Sequence, residues 1–183
     1  MSRFFRHFLF FICAALLVGA CDPYPKDPHK TYANIRNEGV IKVGVVDHPP
    51  FAVKHDTNMP PTGIEVRLIQ GFADNLSVSP QWHVLPGRLA FDLLSEGKLD
   101  MVIGGFDKND PWSKKSSFTR PYFISRVGYA ARPDDQIALE KEETVHHVMA
   151  VRKGENRLLT VLEEYLKNNY ATVENIFNAE AVK

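Results

Sequence analysis

Between Val40 and Gly105 the chain switches four times between two hydrophobic periods, and this alternation restricts the fold more than any other feature. "VIKVGVVD" is β-branched and bounded by Gly39 and the Pro49-Pro50 pair, as expected of a buried strand. "GIEVRLIQGFADNLS" sets Ile64, Leu68, Phe72 and Leu76 four residues apart with Ile69 beside them, one face of a helix. "QWHVLP" reads as a second strand, "RLAFDLLSEG" as a helix ended by Gly97, and "LDMVIGG" as a third strand. Strand, helix, strand, helix, strand implies right-handed crossovers and a mostly parallel sheet flanked by helices, an α/β fold. Ligands of such sheets sit beyond the carboxyl ends of the strands. Three loops lie there: Asp47 to Phe51, Pro86 to Leu89, and Gly104 to Trp112.

Further strands are expected at "YFISRVGYAA" and "HHVMAV", with about fourteen polar and charged residues between them. "ENRLLTVLEEYLKNNY" places Leu158, Leu162, Tyr165 and Leu166 at helical spacing, and a short helix is expected from Ala171.

The N-terminus belongs to another process. Arg3, Arg6 and His7 precede an apolar run, Phe8 to Ala20, too short to span a bilayer, the layout of a secretory signal. Val18-Gly19-Ala20-Cys21 resembles a bacterial lipobox, in which Cys21 receives a lipid; an ordinary signal peptide with a chance cysteine is the alternative. Asp22 resembles the inner-membrane retention signal of enteric-type lipoproteins. "DPYPKDPHKTY" reads as an extended tether. With Cys13 in the removed segment and Cys21 lipidated, no thiol remains for a disulfide or a metal site. Without Arg3 and Arg6, 20 basic residues face 22 acidic ones, so no basic stripe invites nucleic acid.

These segments together resemble the periplasmic solute-binding proteins of polar amino-acid ABC transporters, family 3. The resemblance is carried in order by "GVIKVGVVDHPPF", "TGIEVRLIQGFADNL", "LLSEGKLDMVIGGF", "FTRPYF" and "MAVRKGENRLLTVLEEYL". It implies a type II periplasmic-binding-protein-like fold whose two lobes close on a solute. Here most of lobe two is missing, because a short charged linker joins the strand that leaves lobe one to the strand that returns. The expected division is a lipoprotein signal peptide over 1–20, a tether over 21–34 and a single lobe over 35–183, with 132–145 in place of lobe two.

The resemblance also assigns site residues. In the family the first loop offers a polar or acidic residue and an aromatic, matched here by Asp47 and Phe51. The third loop offers hydroxyl residues and then an arginine that clamps an amino acid's carboxylate. Counted back from "FTRPYF", Gly105 opens that loop, Asp107 and Asn109 hold the hydroxyl positions, and Trp112 stands in place of the arginine. Asp107 would repel an α-carboxylate, and Lys114 lacks the planar fork to replace the clamp. Three readings of the loop stay open. Asp47, Asp107 and Trp112 hold an ammonium or polyamine; Phe51, Phe106 and Trp112 form a patch for a protein partner; or Asp107 and Asn109 merely shape a degenerate loop.

His48 and His55 near Asp47 and Asp56 lack defined metal geometry, and Ser113, Ser116 and Ser117 lack a partnered base, although His146 and His147 exist. Some relatives resemble dehydratases, and others carry an added peptidoglycan-cleaving domain; neither chemistry is carried over. The expectation is a non-catalytic binding component without cofactor or metal, whose ligand is a small polar solute, either an amino acid or a cationic amine. Its other partners are an ABC transporter permease and the membrane that holds its lipid, on the periplasmic side with the inner membrane favoured. The alternative is an envelope protein-protein interaction module, or a degenerate relative.

Overall fold

The computed structural model describes residues 27–56, 59–127 and 143–181. The signal segment, Cys21 and Asp22, and the linker residues 132–142 lie outside them. The order is α1 (Thr31–Glu38), β1 (Val40–Val45), α2 (Ile64–Leu76), β2 (Ser79–Val84), α3 (Gly87–Ser95), β3 (Met101–Asp107), a 3-10 turn (Pro111–Lys114), β4 (Ser116–Phe118), β5 (Phe123–Val127), β6 (Glu143–Arg152), α4 (Asn156–Asn168) and α5 (Tyr170–Ala181).

One six-stranded sheet holds these elements together, in the order β2-β1-β3-β6-β4, with β5 also on β6. β1 runs parallel to β2 and β3, as the two crossover helices require. β6 is antiparallel to β3, and its other edge pairs first with β5 and then with β4. β5 and β6 are the strands expected to leave and return, and they lie side by side in register from Phe123↔His147 to Val127↔Glu143. A short connection between them therefore needs no second lobe to complete the sheet.

Alternation along the strands divides the core. Met101, Ile103, Met149 and Val151 face α1, α2, α4 and α5 in one cluster, while Val102, Phe106, Val148 and Ala150 face α3 in the other. The expected face of α2 is buried throughout, from Ile64 at 1% exposure to Phe72 and Ile69 at 0%.

Three differences from the sequence expectations have local causes. α1 starts at Thr31, inside the stretch read as tether; its mixed composition hides one apolar anchor, Ile35, which is buried. β6 starts at Glu143, inside the stretch read as linker, because its first residues pair with β5 although they are polar. β4 is only three residues long and carries too little pattern to be read.

Candidate functional site

The loops after β1 and β3 meet at the carboxyl ends of those strands, and a buried carboxylate holds them there. Glu65, in the first turn of α2, is 0% exposed. One oxygen accepts from the Gly104 amide at 2.6 Å and the Gly105 amide at 2.8 Å, and the other accepts from the Tyr122 hydroxyl at 2.6 Å. Burial pushes the Glu65 carboxyl above its usual range, against those three donors and the His48 charge, and Tyr122 rises well above its own. The β3–β6 register shifts between Val102 and Phe106, so the two glycine amides turn to Glu65 instead of a strand. Gly105 sits at φ +66, where a Cβ would lie 2.5 Å from the Phe51 ring and 2.9 Å from His48 Nδ1.

The first loop is pinned at both ends. His48 Nδ1–H donates to the Gly104 carbonyl at 2.8 Å, joining it to the third loop. The Ile64 and Glu65 amides donate to the Pro50 and Phe51 carbonyls, joining it to α2. Asp47 is exposed, and its Oδ1 accepts from the Lys54 amide at 2.8 Å.

Asp107 shapes the third loop. Its Oδ1 accepts from the Asn109 amide at 2.8 Å and its Oδ2 from the His146 amide at 2.7 Å. Partial burial opposes ionisation, yet these bonds hold its carboxyl below the usual range, so it carries a fixed negative charge. Asn109 is exposed at the tip.

Phe51 is half-buried against the first core cluster, 4.4 Å from the His147 ring and 5.9 Å from Phe177 of α5. Trp112 packs with the second cluster, stacked on Phe91 at 4.4 Å and 2°. The structure thus brings Asp47, Phe51, Gly105, Asp107 and Asn109 to one end of the sheet, while one Trp112 face is committed to α3. The loop supplies no guanidinium at that position.

Two residues escaped the sequence reading. Glu65 had a signal, since an acid in line with Leu68, Ile69 and Phe72 lies on the buried stripe of its helix. His147, 2% exposed, had none, because its surroundings come from distant elements: Phe51, Tyr122, Phe123 and Phe177 surround its ring, and Ser125 Oγ lies 2.7 Å from Nε2. Its Nδ1 is buried without a hydrogen-bond partner among the described residues. Burial pushes it down to about 4, with Asp107 opposing and His48 and His146 assisting. Ser116 donates instead to the Trp112 carbonyl. Among the described residues no group of three or more His, Cys, Asp or Glu is placed to hold a metal, and no helix is long and apolar enough to cross a membrane.

Comparison with known proteins agrees with the fold. The family model for bacterial extracellular solute-binding proteins, family 3, matches residues 41–177. A probable histidine-binding protein of Campylobacter jejuni is 25% identical over 190 residues, covering 92% of this chain and 71% of that protein. A membrane-bound lytic murein transglycosylase F of Maricaulis maris is 31% identical over 119 residues, 62% of this chain but only 25% of that enzyme. Among solved structures, the arginine-bound form of domain 1 from TmArgBP superposes with a TM-score of 0.57 at 26% identity, covering 74% of this chain and 97% of that domain.

Proposed function

Because this chain belongs to family 3 of the bacterial extracellular solute-binding proteins, we propose that it is a non-catalytic binding component that holds a small polar solute at the carboxyl ends of β1 and β3. The observation that carries this reading is the locked pair of loops. Glu65 and His48 tie Gly104 and Gly105 to α2 and the first loop through the protein's own hydrogen bonds, so the loops do not depend on a ligand for their mutual placement. The arginine-bound domain 1 of TmArgBP supports it, since there one domain carries the ligand.

The ligand class follows from charge. Asp47 and the fixed carboxylate of Asp107 favour a cationic group, and Trp112 in place of the arginine clamp leaves an α-carboxylate without its bidentate partner. A basic amino acid or an organic amine fits better than an acidic amino acid. Lipidation at Cys21, placement on the periplasmic side of the envelope and work beside an ABC transporter permease complete the proposal. Thermal-shift measurement with arginine, histidine, lysine, putrescine and glutamate tests it: stabilisation by a cationic compound and none by glutamate is expected, and no stabilisation by any compound at millimolar concentration sinks it.

A further inference from the structure

Pro86 to Leu89, the second loop at the carboxyl ends of the strands, brings one cation, Arg88, to the end of the sheet where Asp47 and Asp107 lie. Its backbone is fixed. The Leu85 amide donates to the Val45 carbonyl at 2.9 Å, and the Ala90 amide donates to the Pro86 carbonyl at 3.0 Å, opening α3. A Cβ on Gly87 would lie 3.8 Å from Val46 Cγ1 and 3.9 Å from Trp112 Cζ2, so the first residue of α3 sits against both other loops. Arg88 comes next and is exposed. Phe91 and Asp92, three and four residues on, share its flank of the helix. Phe91 stacks on Trp112 and Asp92 pairs with Lys115 at 3.1 Å, so this flank faces the 3-10 turn after β3. α3 starts at the end of β2 and returns the chain to the start of β3, which places Arg88 one turn nearer the ligand end than the Trp112 stack.

The Arg88 charge is uncommitted. Among the described residues it has no hydrogen-bond or ion-pair partner, since Asp92 is taken by Lys115 and Asp110 accepts from the Asp107 amide at 3.0 Å. The fixed negative charge is held by another element, because the Asp107 carboxylate is tied to the His146 amide of β6. A solute that meets both charges carries a cationic group and an anionic one. We propose that Arg88 receives the carboxylate of the solute, so that the site takes an α-amino acid with a cationic side chain in preference to an amine that lacks the carboxylate. The guanidinium offers that carboxylate a planar pair of donors from the second loop, which the lysines of the third loop do not. The inference rests on the solute site proposed above.

Calorimetry on the full-length protein tests this with two pairs of ligands that differ by the α-carboxylate alone, arginine with agmatine and lysine with cadaverine. Wild type should bind the amino acid of each pair about tenfold more tightly than its amine. Arg88→Ala should weaken arginine about tenfold and leave agmatine unchanged or slightly tighter, because Asp47 and Asp107 alone favour the more positive compound. Arg88→Lys should recover only part of the preference, since an ammonium lacks the planar fork. Both substitutions are at an exposed position, and the ratio within a pair cancels any loss of folded protein. Equal affinity within each pair in wild type, an arginine preference that survives Arg88→Ala, or equal weakening of arginine and agmatine overturns the role of Arg88 and leaves the solute site standing. No binding of any of the four compounds at millimolar concentration overturns the solute site and this inference together.

Discussion

Removing the Glu65 carboxylate should damage stability and ligand binding together, because one side chain serves both. Its three donors are the Gly104 and Gly105 amides and the Tyr122 hydroxyl, all within 2.8 Å. Hydrogen bonds to a charged group contribute about 1.5 to 3 kcal/mol each, and a buried donor left without an acceptor costs about 1 to 3 kcal/mol. Part of that loss is offset, because an alanine no longer has to bury a charge. Glu65→Ala is therefore expected to cost about 3 to 5 kcal/mol, a large share of the roughly 5 to 15 kcal/mol that holds a domain folded. Glu65→Gln, whose amide nitrogen faces donors where an oxygen stood, should cost about 2 to 3 kcal/mol, and Tyr122→Phe about 1.5 kcal/mol. Urea unfolding followed by circular dichroism measures all three. If Glu65→Gln unfolds within about 0.5 kcal/mol of wild type, the carboxylate does not anchor the loops and the preformed site loses its support.

Other perturbations separate the two core clusters from the site. Gly105→Ala at φ +66, with its Cβ driven against Phe51, should cost about 2 to 3 kcal/mol and weaken solute binding, read by calorimetry. Trp112→Ala, which unstacks Phe91, should cost about 3 kcal/mol in thermal unfolding, whereas Trp112→Phe should cost about 1 kcal/mol. His147 is held neutral in the fold, at about 4 against an ordinary 6.5. Its contribution is complete above pH 6.5 and is lost as pH falls towards 4, because the unfolded chain binds the proton first. The shift sets a ceiling of about 3 kcal/mol, which solvent relaxation reduces to about 2 kcal/mol. Wild type should lose that much more stability than His147→Phe between pH 7 and 4 in urea titrations, and parallel pH profiles would refute the assignment.

The parallel half of the sheet was legible because its strands and helices each carry one period over five residues or more, as Ile64 to Leu76 does. The strands β5 and β6 were legible as apolar runs and, from the resemblance, as neighbours, but their register required the structure. α1, β4 and the first residues of β6 were not, because their places are decided by partners far along the chain: Glu155 for α1, and Arg152 to Ala150 for β4. At the site, loop position pointed to the loops after β1 and β3, and the resemblance pointed within them to Asp47, Gly105 and Asp107. Neither could show that Asp107 spends both oxygens on the His146 and Asn109 amides, or that one face of Trp112 is used on Phe91. Glu65 and His147 are buried polar residues, and composition reads such residues as surface.

The most direct test of the account is amide chemical-shift mapping of the 15N-labelled soluble domain during titration with arginine and with putrescine. The account predicts saturable shifts concentrated at Asp47, Gly104, Gly105, Asp107 and Asn109, with Arg120 and Lys167 on the α4 side unmoved. Shifts centred elsewhere, or none at millimolar ligand, would contradict a solute site at the carboxyl ends of β1 and β3.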